Sequence, residues 1–214
     1  MPIVSTFSVV AYDPASESWG VAVQSRFLAV GSIVPWAEAG VGAIATQALA
    51  NPRCGSLGLA MLRQGLRAED VVAGLLAADP GRETRQLGVI DRHGHAAAFT
   101  GAECFPWAGH VLGKHFCCQG NILASEAVVA EMAEAMSRDE ARPFVDRLLA
   151  ALQAGQAAGG DSRGQQAAAL LVVRAGSGFG GYSDRAVDLR VDDHPAPFTE
   201  LARLVGLHRE IYGA

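Results

Sequence analysis

Two hydroxyl residues and an arginine stand at the open end of the first strand pair that the sequence predicts. The stretch TFSVVAYDPASESWGVAVQSR, from Thr6 to Arg26, contains two alternating apolar runs joined by DPASES, which is typical of a β-hairpin. Because a hairpin brings its open ends together, Ser25 and Arg26 are predicted to flank Thr6. Thr6 is therefore a candidate nucleophile and Ser25 a candidate catalytic neighbour, and Ser5 and Ser8 are weaker candidates.

Three further polar residues stand at or just after the ends of other predicted strands. Thr46 and Gln47 end the apolar run VGAIATQAL, and Asn121 follows the dipeptide QG. An amide donor beside a glycine N–H is the chemistry that an oxyanion hole requires, so Asn121 is a candidate catalytic residue. Thr46 and Gln47 are candidate substrate-binding residues. The alternative for each of the three is a hydrogen bond within the core.

A charge pair lies in the glycine-rich segment GGDSRG. Asp161 and Arg163 are two residues apart, and a guanidinium group binds a carboxylate through two parallel hydrogen bonds. Arg26, Asp161 and Arg163 are therefore candidates for holding a substrate carboxylate. An ion pair that stabilises the loop is an equally good interpretation of the same residues.

A metal-dependent hydrolase is a further hypothesis, centred on the tripeptide DDH from Asp192 to His194. His110, His115 and Asp161 are the other residues that such a site would recruit. Consecutive strand residues point to alternating faces, and the sequence contains neither HExxH nor paired CxxC motifs. We therefore assign no metal ligand and expect no cofactor.

The composition indicates one globular domain over residues 1–214. Half of the residues are hydrophobic, 18% are charged and 25 are glycine, which is typical of a compact chain with many tight turns. The formal net charge is −5, and no basic run of five residues occurs. The sequence therefore lacks the electrostatic signature of a nucleic-acid or anionic-membrane partner.

The four cysteines do not form a disulfide or metal-binding pattern. Two of them, Cys117 and Cys118, are adjacent, and we expect all four to be reduced and mostly packed. The N-terminal residues lack the features of a signal peptide, and no apolar run approaches the roughly 20 residues of a membrane span. Cytoplasmic localisation is expected.

The order of predicted elements indicates an α+β protein with two mainly antiparallel sheets packed face to face and helices outside. The early strands are followed by helical periodicity over residues 55–78, broken near Gly65. Further predicted elements are a second hairpin over residues 86–100, a strand region in HVLGKHFCCQGNIL, helical periodicity over residues 125–154 interrupted at Pro143, the strands AAALLVVRA and AVDLRV, and a final helix over residues 197–212.

These residues, in this order, resemble the bacterial family called domain of unknown function 1028, which is regarded as similar to the N-terminal-nucleophile (Ntn) hydrolases. The resemblance is carried by TFSVVAYD, GVAVQSRFLAVG, VPWAEAGVGAIATQA, FTGAEC, WAGH, QGNIL, AGGDSRGQQAAALLV and DRAVDLRVDDH. It covers almost the whole chain and implies a four-layer αββα sandwich.

The resemblance also implies how Thr6 would act. In Ntn hydrolases the nucleophile is made N-terminal by processing, and its free α-amine, which titrates at about 7.7, serves as the base for its own side chain. Relatives often begin Met-Thr-Phe-Ser, so that loss of the initiator exposes the threonine. Here MPIVS precedes Thr6, and the mechanism requires cleavage of the Ser5–Thr6 bond.

The function implied is an Ntn-type amide hydrolase that acts on a small polar amide or peptide-like substrate. The alternative from another class is a non-catalytic small-ligand-binding protein on the same scaffold. Exposure of Pro2 would instead resemble the start of a tautomerase, although the chain is far longer than a subunit of that family. A small-molecule partner is expected, and a homodimer is the commonest assembly for such an enzyme.

Overall fold

Two antiparallel sheets pack face to face, and helices cover the outer face of each, in a computed structural model that describes Val4 and residues 6–213. The strands are β1 (Thr6–Asp13), β2 (Ser18–Ser25), β3 (Pro35–Glu38), β4 (Gly42–Ala48), β5 (Arg85–Asp91), β6 (Ala96–Thr100), β7 (Gly109–Gly113), β8 (Phe116–Asn121), β9 (Ala167–Val173) and β10 (Arg185–Val191). The helices are α1 (Arg53–Arg63), α2 (Ala68–Ala77), α3 (Ala127–Arg138), α4 (Phe144–Ala157) and α5 (Pro197–Tyr212).

The six-stranded sheet has the order β10-β9-β2-β1-β8-β7, and the four-stranded sheet has the order β3-β4-β5-β6. All the neighbouring strands in both sheets are antiparallel. Helices α3, α4 and α5 pack on the six-stranded sheet, and α1 and α2 pack on the four-stranded sheet. The predicted fold class, an α+β sandwich, is confirmed.

Three apolar cores separate the four layers, and strand alternation decides which core each residue joins. In β1, Phe7 and Val9 lie in the core beneath α3 and α4, whereas Val10 lies in the core between the sheets. Thr6 and Ser8 have the same parity as Val10 and therefore also face the opposite sheet. None of the helices described in the structure combines the length and apolar character that a bilayer crossing requires.

Most of the predicted elements are present, and their bounds differ where backbone chemistry intervenes. The first hairpin is β1 and β2, with Thr6 opposite Ser25. The second predicted hairpin, over residues 86–100, is β5 and β6, and the strand region predicted in HVLGKHFCCQGNIL is the hairpin of β7 and β8. The long helical period is divided into α3 and α4, and Pro143 directly precedes α4. Proline is tolerated at the start of a helix but interrupts its interior, because it has no backbone N–H to donate.

Helix α4 approaches the six-stranded sheet closely at Gly20 of β2. A Cβ atom at Gly20 would lie 2.8 Å from Leu148 Cδ1 and 3.0 Å from Phe144 Cε1. The absence of a side chain at this position therefore allows α4 to seat on the sheet that carries Thr6.

Leu148 tests this packing. We expect Leu148→Ala to lower the free energy of unfolding by about 2–5 kcal/mol, because the side chain is fully buried and its removal leaves a cavity. The matched control is Leu207→Ala in α5, whose side chain is 39% exposed and should change stability by less than about 0.5 kcal/mol. Urea denaturation followed by circular dichroism measures both, and equal losses would contradict the assignment of Leu148 to the core.

Candidate functional site

One end of the space between the sheets is polar. We define the intersheet polar cluster as the fully buried side chains of Thr6, Ser8, Ser25, Gln47, Gln86, Gln119 and Asn121. They come from five strands of both sheets. Burial of so many polar groups is tolerated only where they hydrogen-bond to one another or to the backbone.

The three residues predicted as catalytic form a row across neighbouring strands. Thr6 of β1 lies in register with Ser25 of β2 on one side and with Asn121 of β8 on the other. The Thr6 hydroxyl donates a hydrogen bond to the carbonyl oxygen of Val4 at 3.0 Å, and its oxygen lies 3.3 Å from Ser25 Oγ. The fold therefore brings the predicted nucleophile and both predicted catalytic neighbours together.

Gln47 and Gln86 of the four-stranded sheet connect this row to the opposite sheet. Gln47 Nε2 donates to Gln86 Oε1 at 2.8 Å and to the carbonyl oxygen of Thr6 at 3.3 Å. Ser8 Oγ donates to Gln47 Oε1 at 2.7 Å, and Asn121 Nδ2 donates to Gln86 Oε1 at 3.0 Å. Gln47 thus contacts the backbone of the candidate nucleophile directly.

The network continues from Gln86 to the surface. Gln86 Nε2 donates to the carbonyl oxygen of Gly120 at 2.8 Å and to Thr100 Oγ1 at 2.9 Å. The Thr100 hydroxyl is in turn 2.9 Å from Nδ1 of the exposed His110. A continuous chain of hydrogen bonds therefore joins the buried row to the solvent.

Among the residues that the structure describes, the side chains that hydrogen-bond to Thr6 and the cluster members that bond to these partners are hydroxyls and amides. These groups donate and accept hydrogen bonds but do not take up a proton near neutral pH. The cluster can orient a nucleophile and stabilise an oxyanion. It does not itself contain a general base.

Arg26, Asp161 and Arg163 form a clamp next to the row. Asp161 is 3% exposed, and its carboxylate accepts hydrogen bonds from Arg163 Nε at 3.1 Å, Arg163 Nη2 at 2.9 Å and the Arg26 backbone N–H at 3.1 Å. Arg26 Nη1 donates to the carbonyl oxygen of Arg163 at 3.1 Å. The guanidinium fork of Arg163 is thus engaged within the chain, and the geometry is that of the loop-stabilising ion pair.

Thr46 does not join the cluster. Its neighbour Gln47 faces the six-stranded sheet, so Thr46 faces the helical layer. There the Thr46 hydroxyl donates a hydrogen bond to the carbonyl oxygen of Asn51 at 3.3 Å. Ser5 and Pro2 lie outside the residues that the structure describes.

Thr6 is closed off from the surface. Val4 pairs with Ala48 at the end of β4 in an isolated antiparallel bridge, and the Thr6 side chain is fully buried. A groove of about 620 Å³ between α1 and α2 and a groove of about 260 Å³ near β3 are lined by other residues. Access to Thr6 therefore requires a change at the segment that carries Val4.

The residues proposed as metal ligands are not grouped. Over Val4 and residues 6–213, no cluster of three or more His, Cys, Asp or Glu side chains is placed to hold an ion. Asp193 accepts a hydrogen bond from Gln166 Nε2 at 3.0 Å, and His194 Nδ1 accepts one from the Ala196 N–H at 3.0 Å. These contacts are made with the residue before β9 and with the residue after Pro195, not between the proposed ligands.

All four cysteines are free. Burial raises the pKa of Cys117 to about 12 and raises the pKa of Cys118 well above its usual value. Both thiols are protonated at neutral pH and are therefore poor nucleophiles.

Comparison with known proteins identifies the family of the chain. The model described as "Family of unknown function (DUF1028)" matches residues 6–201. The chain belongs to the DUF1028 family. The crystal structure of protein SPO2555 from Silicibacter pomeroyi, which carries the same family description, is 35% identical with a TM-score of 0.88, and the match covers 96% of this chain and 86% of that chain. No curated protein matched the chain.

The matched range in this DUF1028 protein begins at Thr6, the first residue of β1. Sequence reasoning missed Gln86, Gln119 and Thr100 as members of the polar region and gave Ser8 little weight. The available signal was an amide side chain at the inward-facing parity of an otherwise apolar strand. Gln119 also needs Gly88 opposite it, because a Cβ there would lie 2.5 Å from Gln119 Oε1.

Gln86 tests whether the cluster is a connected unit in this DUF1028 protein. We expect Gln86→Met to lower the free energy of unfolding by about 2–4 kcal/mol, because Gln47 Nε2 and Asn121 Nδ2 lose their shared acceptor while staying buried. Gln153→Met on the exposed face of α4 is the control and should change stability by less than about 0.5 kcal/mol. Chemical denaturation compares them, and a neutral Gln86→Met would disprove the coupling.

The end of β4 is also held by a buried ion pair. Arg85 Nε donates to Asp79 Oδ2 at 2.8 Å, and Arg85 Nη1 donates to the carbonyl oxygen of Leu49, the residue after Ala48. The hydrogen bond from Arg85 lowers the pKa of Asp79 to about 2, with further contributions from Asn51 and the Gly81 N–H. The charged carboxylate therefore stabilises the folded state.

Because the pKa of Asp79 is lower in the folded than in the unfolded chain, its stabilisation is present above about pH 4 and is lost as the pH falls toward about 2. We expect Asp79→Asn to be less stable than the wild type by about 2 kcal/mol at pH 7, with a difference that shrinks across this window. Glu131→Gln on the exposed face of α3 is the control. Urea denaturation between pH 2.5 and pH 7, as an approximate working range, measures the difference, and a difference independent of pH would contradict the ion-pair assignment.

Proposed function

We propose that this protein is an amide hydrolase of the Ntn type, with Thr6 as its nucleophile once the Ser5–Thr6 peptide bond has been cleaved. The observation that carries the proposal is the row of Ser25, Thr6 and Asn121 across the centre of the six-stranded sheet. The start of the family match at Thr6 supports the same residue.

The need for a general base next to Thr6 supports cleavage of the Ser5–Thr6 bond. The cluster around Thr6 contains hydroxyl and amide groups, and in the uncut chain the Thr6 nitrogen belongs to a peptide bond and has no basic lone pair. Cleavage before Thr6 converts it into an α-amine with a pKa of about 7.7, which can accept the Oγ1 proton at neutral pH. The base is then supplied by the nucleophile's own residue.

The reaction follows from these groups. Thr6 Oγ1 attacks the carbonyl carbon of an amide, its proton passes to the α-amine, and the tetrahedral intermediate collapses when the leaving nitrogen takes that proton. The product is an acyl ester on Thr6 and a free amine, and water then hydrolyses the ester. Ser25 orients the hydroxyl, and Asn121 is the amide donor nearest in register for the oxyanion.

The other predicted residues have supporting roles in this proposal. Gln47 fixes the Thr6 carbonyl group, and the clamp of Arg26, Asp161 and Arg163 fixes the backbone directly after Ser25. A small polar amide or a peptide-like amide is the proposed substrate class.

A second candidate function is non-catalytic binding of a small ligand on the same scaffold. The observation that favours it is the complete burial of Thr6 behind the Val4–Ala48 bridge. Under this alternative, Thr6 is a strand residue that hydrogen-bonds within the core, and residues 1–5 are never removed.

Intact-mass measurement during prolonged incubation of the purified protein tests processing. We expect a species that has lost residues 1–5, and its appearance should parallel hydrolysis of a panel of N-acyl p-nitroanilides. In that processed species, Thr6→Ala should lower hydrolysis by at least about 10³-fold, because it removes the nucleophile. Thr6→Ser retains a hydroxyl and should keep measurable activity.

Thr199→Ala, on the exposed side of α5, is the matched control and should retain full activity. If residues 1–5 persist under all conditions and Thr6→Ala changes no measured activity, the ligand-binding alternative replaces the hydrolase.

A further inference from the structure

The backbone of Val4 is bound in the manner of an added peptide strand. Its N–H donates to the carbonyl oxygen of Ala48 at 2.8 Å, and its carbonyl oxygen accepts from the Ala48 N–H at 3.0 Å. Ala48 ends β4 in the four-stranded sheet, whereas Thr6 begins β1 in the six-stranded sheet. An extended peptide that joins a sheet edge makes the same reciprocal pair of hydrogen bonds.

The carbonyl group of Val4 has a second partner. Thr6 Oγ1 donates to the same oxygen at 3.0 Å. One amide carbonyl therefore lies within hydrogen-bond reach of the proposed nucleophile while a backbone N–H of Ala48 binds its oxygen. A hydroxyl nucleophile and an N–H donor that converge on one carbonyl are the groups that acyl transfer requires.

The side chain of Val4 occupies an apolar site. Val4 is 3% exposed and belongs to the intersheet core together with Val30, Val34 and Ala50. The position therefore selects a small branched apolar group by shape and by burial.

Ala48 is held in place by elements that do not include the first five residues. It lies in register with Arg85 of β5, and its successor Leu49 is bound by the Thr84 carbonyl oxygen and by Arg85 Nη1. Ala48 has a φ of +67°, the left-handed conformation that residues with a Cβ rarely adopt. These contacts fix the direction of its N–H and C=O groups independently of Val4.

We propose that the place of Val4 is the acyl-side subsite of the mature protein, so that the substrate is a peptide-like amide with a small branched apolar residue before the scissile bond. The N–H of that residue donates to the Ala48 carbonyl oxygen, and its own carbonyl oxygen accepts from the Ala48 N–H. Its side chain fills the site of the Val4 isopropyl group. Turnover at this subsite rests on the proposed function, whereas binding does not.

The test uses two peptides and two routes to the mature chain. In the full chain, the four substitutions Pro2→Ile, Ile3→Glu, Val4→Gly and Ser5→Arg introduce a protease recognition site that ends before Thr6. The second route expresses Met1 joined directly to Thr6, with removal of the initiator. Mass spectrometry verifies each product, and circular dichroism establishes that it unfolds cooperatively.

The probes are acetyl-Pro-Ile-Val-amide, which has the sequence of residues 2–4, and acetyl-Pro-Ile-Gly-amide as the matched control. By titration calorimetry, we expect the valine peptide to bind the mature chain at least about tenfold more tightly than the glycine peptide, because only valine supplies the buried isopropyl group. The uncleaved wild-type chain should bind neither peptide, since Val4 fills the subsite.

Binding and turnover separate the two proposals. A mature Thr6→Ala chain should still prefer the valine peptide to the glycine peptide, because the Ala48 bridge and the apolar site do not involve the Thr6 side chain. Loss of the hydrogen bond from Oγ1 should weaken binding of both peptides by up to about tenfold. Selective binding with no hydrolysis of an N-acetyl-valyl p-nitroanilide would support the subsite and remove the hydrolase. Hydrolysis with no preference for valyl over glycyl compounds would overturn the subsite and leave the hydrolase standing.

Two other outcomes also overturn the subsite. One is a folded mature chain that binds both peptides equally or binds neither. The other is a mature chain that no longer unfolds cooperatively by either route, since Ala48 would then depend on residues 1–5 for its position.

Discussion

Two buried glutamines, Gln47 and Gln86, connect the sheets through hydrogen bonds that apolar side chains cannot make. Gln47 reaches Ser8 and the Thr6 carbonyl oxygen, and Gln86 reaches Asn121 and the Gly120 carbonyl oxygen. Apolar packing between sheets tolerates small shifts, because dispersion and burial are not directional. A buried amide pair tolerates them much less, since each misplaced donor or acceptor would be left buried without a partner. The placement of one sheet on the other is thus specified where Thr6 lies.

The same constraint shapes the chemistry that the site can perform. A neutral, hydrogen-bonded cluster can fix the orientation of Thr6, and the described side chains that bond to Thr6 are hydroxyl and amide groups. Ionisable groups lie at the margins, in the clamp around Asp161 and at the exposed His110. A hydrolytic role for Thr6 therefore depends on a base that is not among the hydroxyl and amide groups described around it. This links the proposed activity to the covalent state of the chain rather than to a side chain that sequence reasoning overlooked.

The bridge between Val4 and Ala48 lies at the same end of the sandwich. It closes the intersheet space over Thr6 and gives the Thr6 hydroxyl its acceptor. The groups that receive Val4 belong to β4 and to the segment supported by Arg85 and Asp79. Because the groups that bind Val4 are held by β4 and its neighbours, another peptide group can replace Val4 without rearrangement of the sheet. The geometry of the closed site thus carries information about the ligand that an open site would take.

The sequence by itself determined the elements and the local juxtapositions. Strand alternation and turn chemistry predicted the hairpins over residues 6–26 and 86–100. The pairing of Thr6 with Ser25 followed from the first hairpin, because hairpin partners are close in the chain. Thr46 and Gln47 point to opposite faces of β4, although both were candidate substrate-binding residues by sequence. Only the tertiary structure decided which face meets the other sheet, since that depends on where the helices pack. The contacts of Thr6 with Asn121, Gln47 and Val4 join different strands and both sheets, and no local periodicity specifies such long-range register.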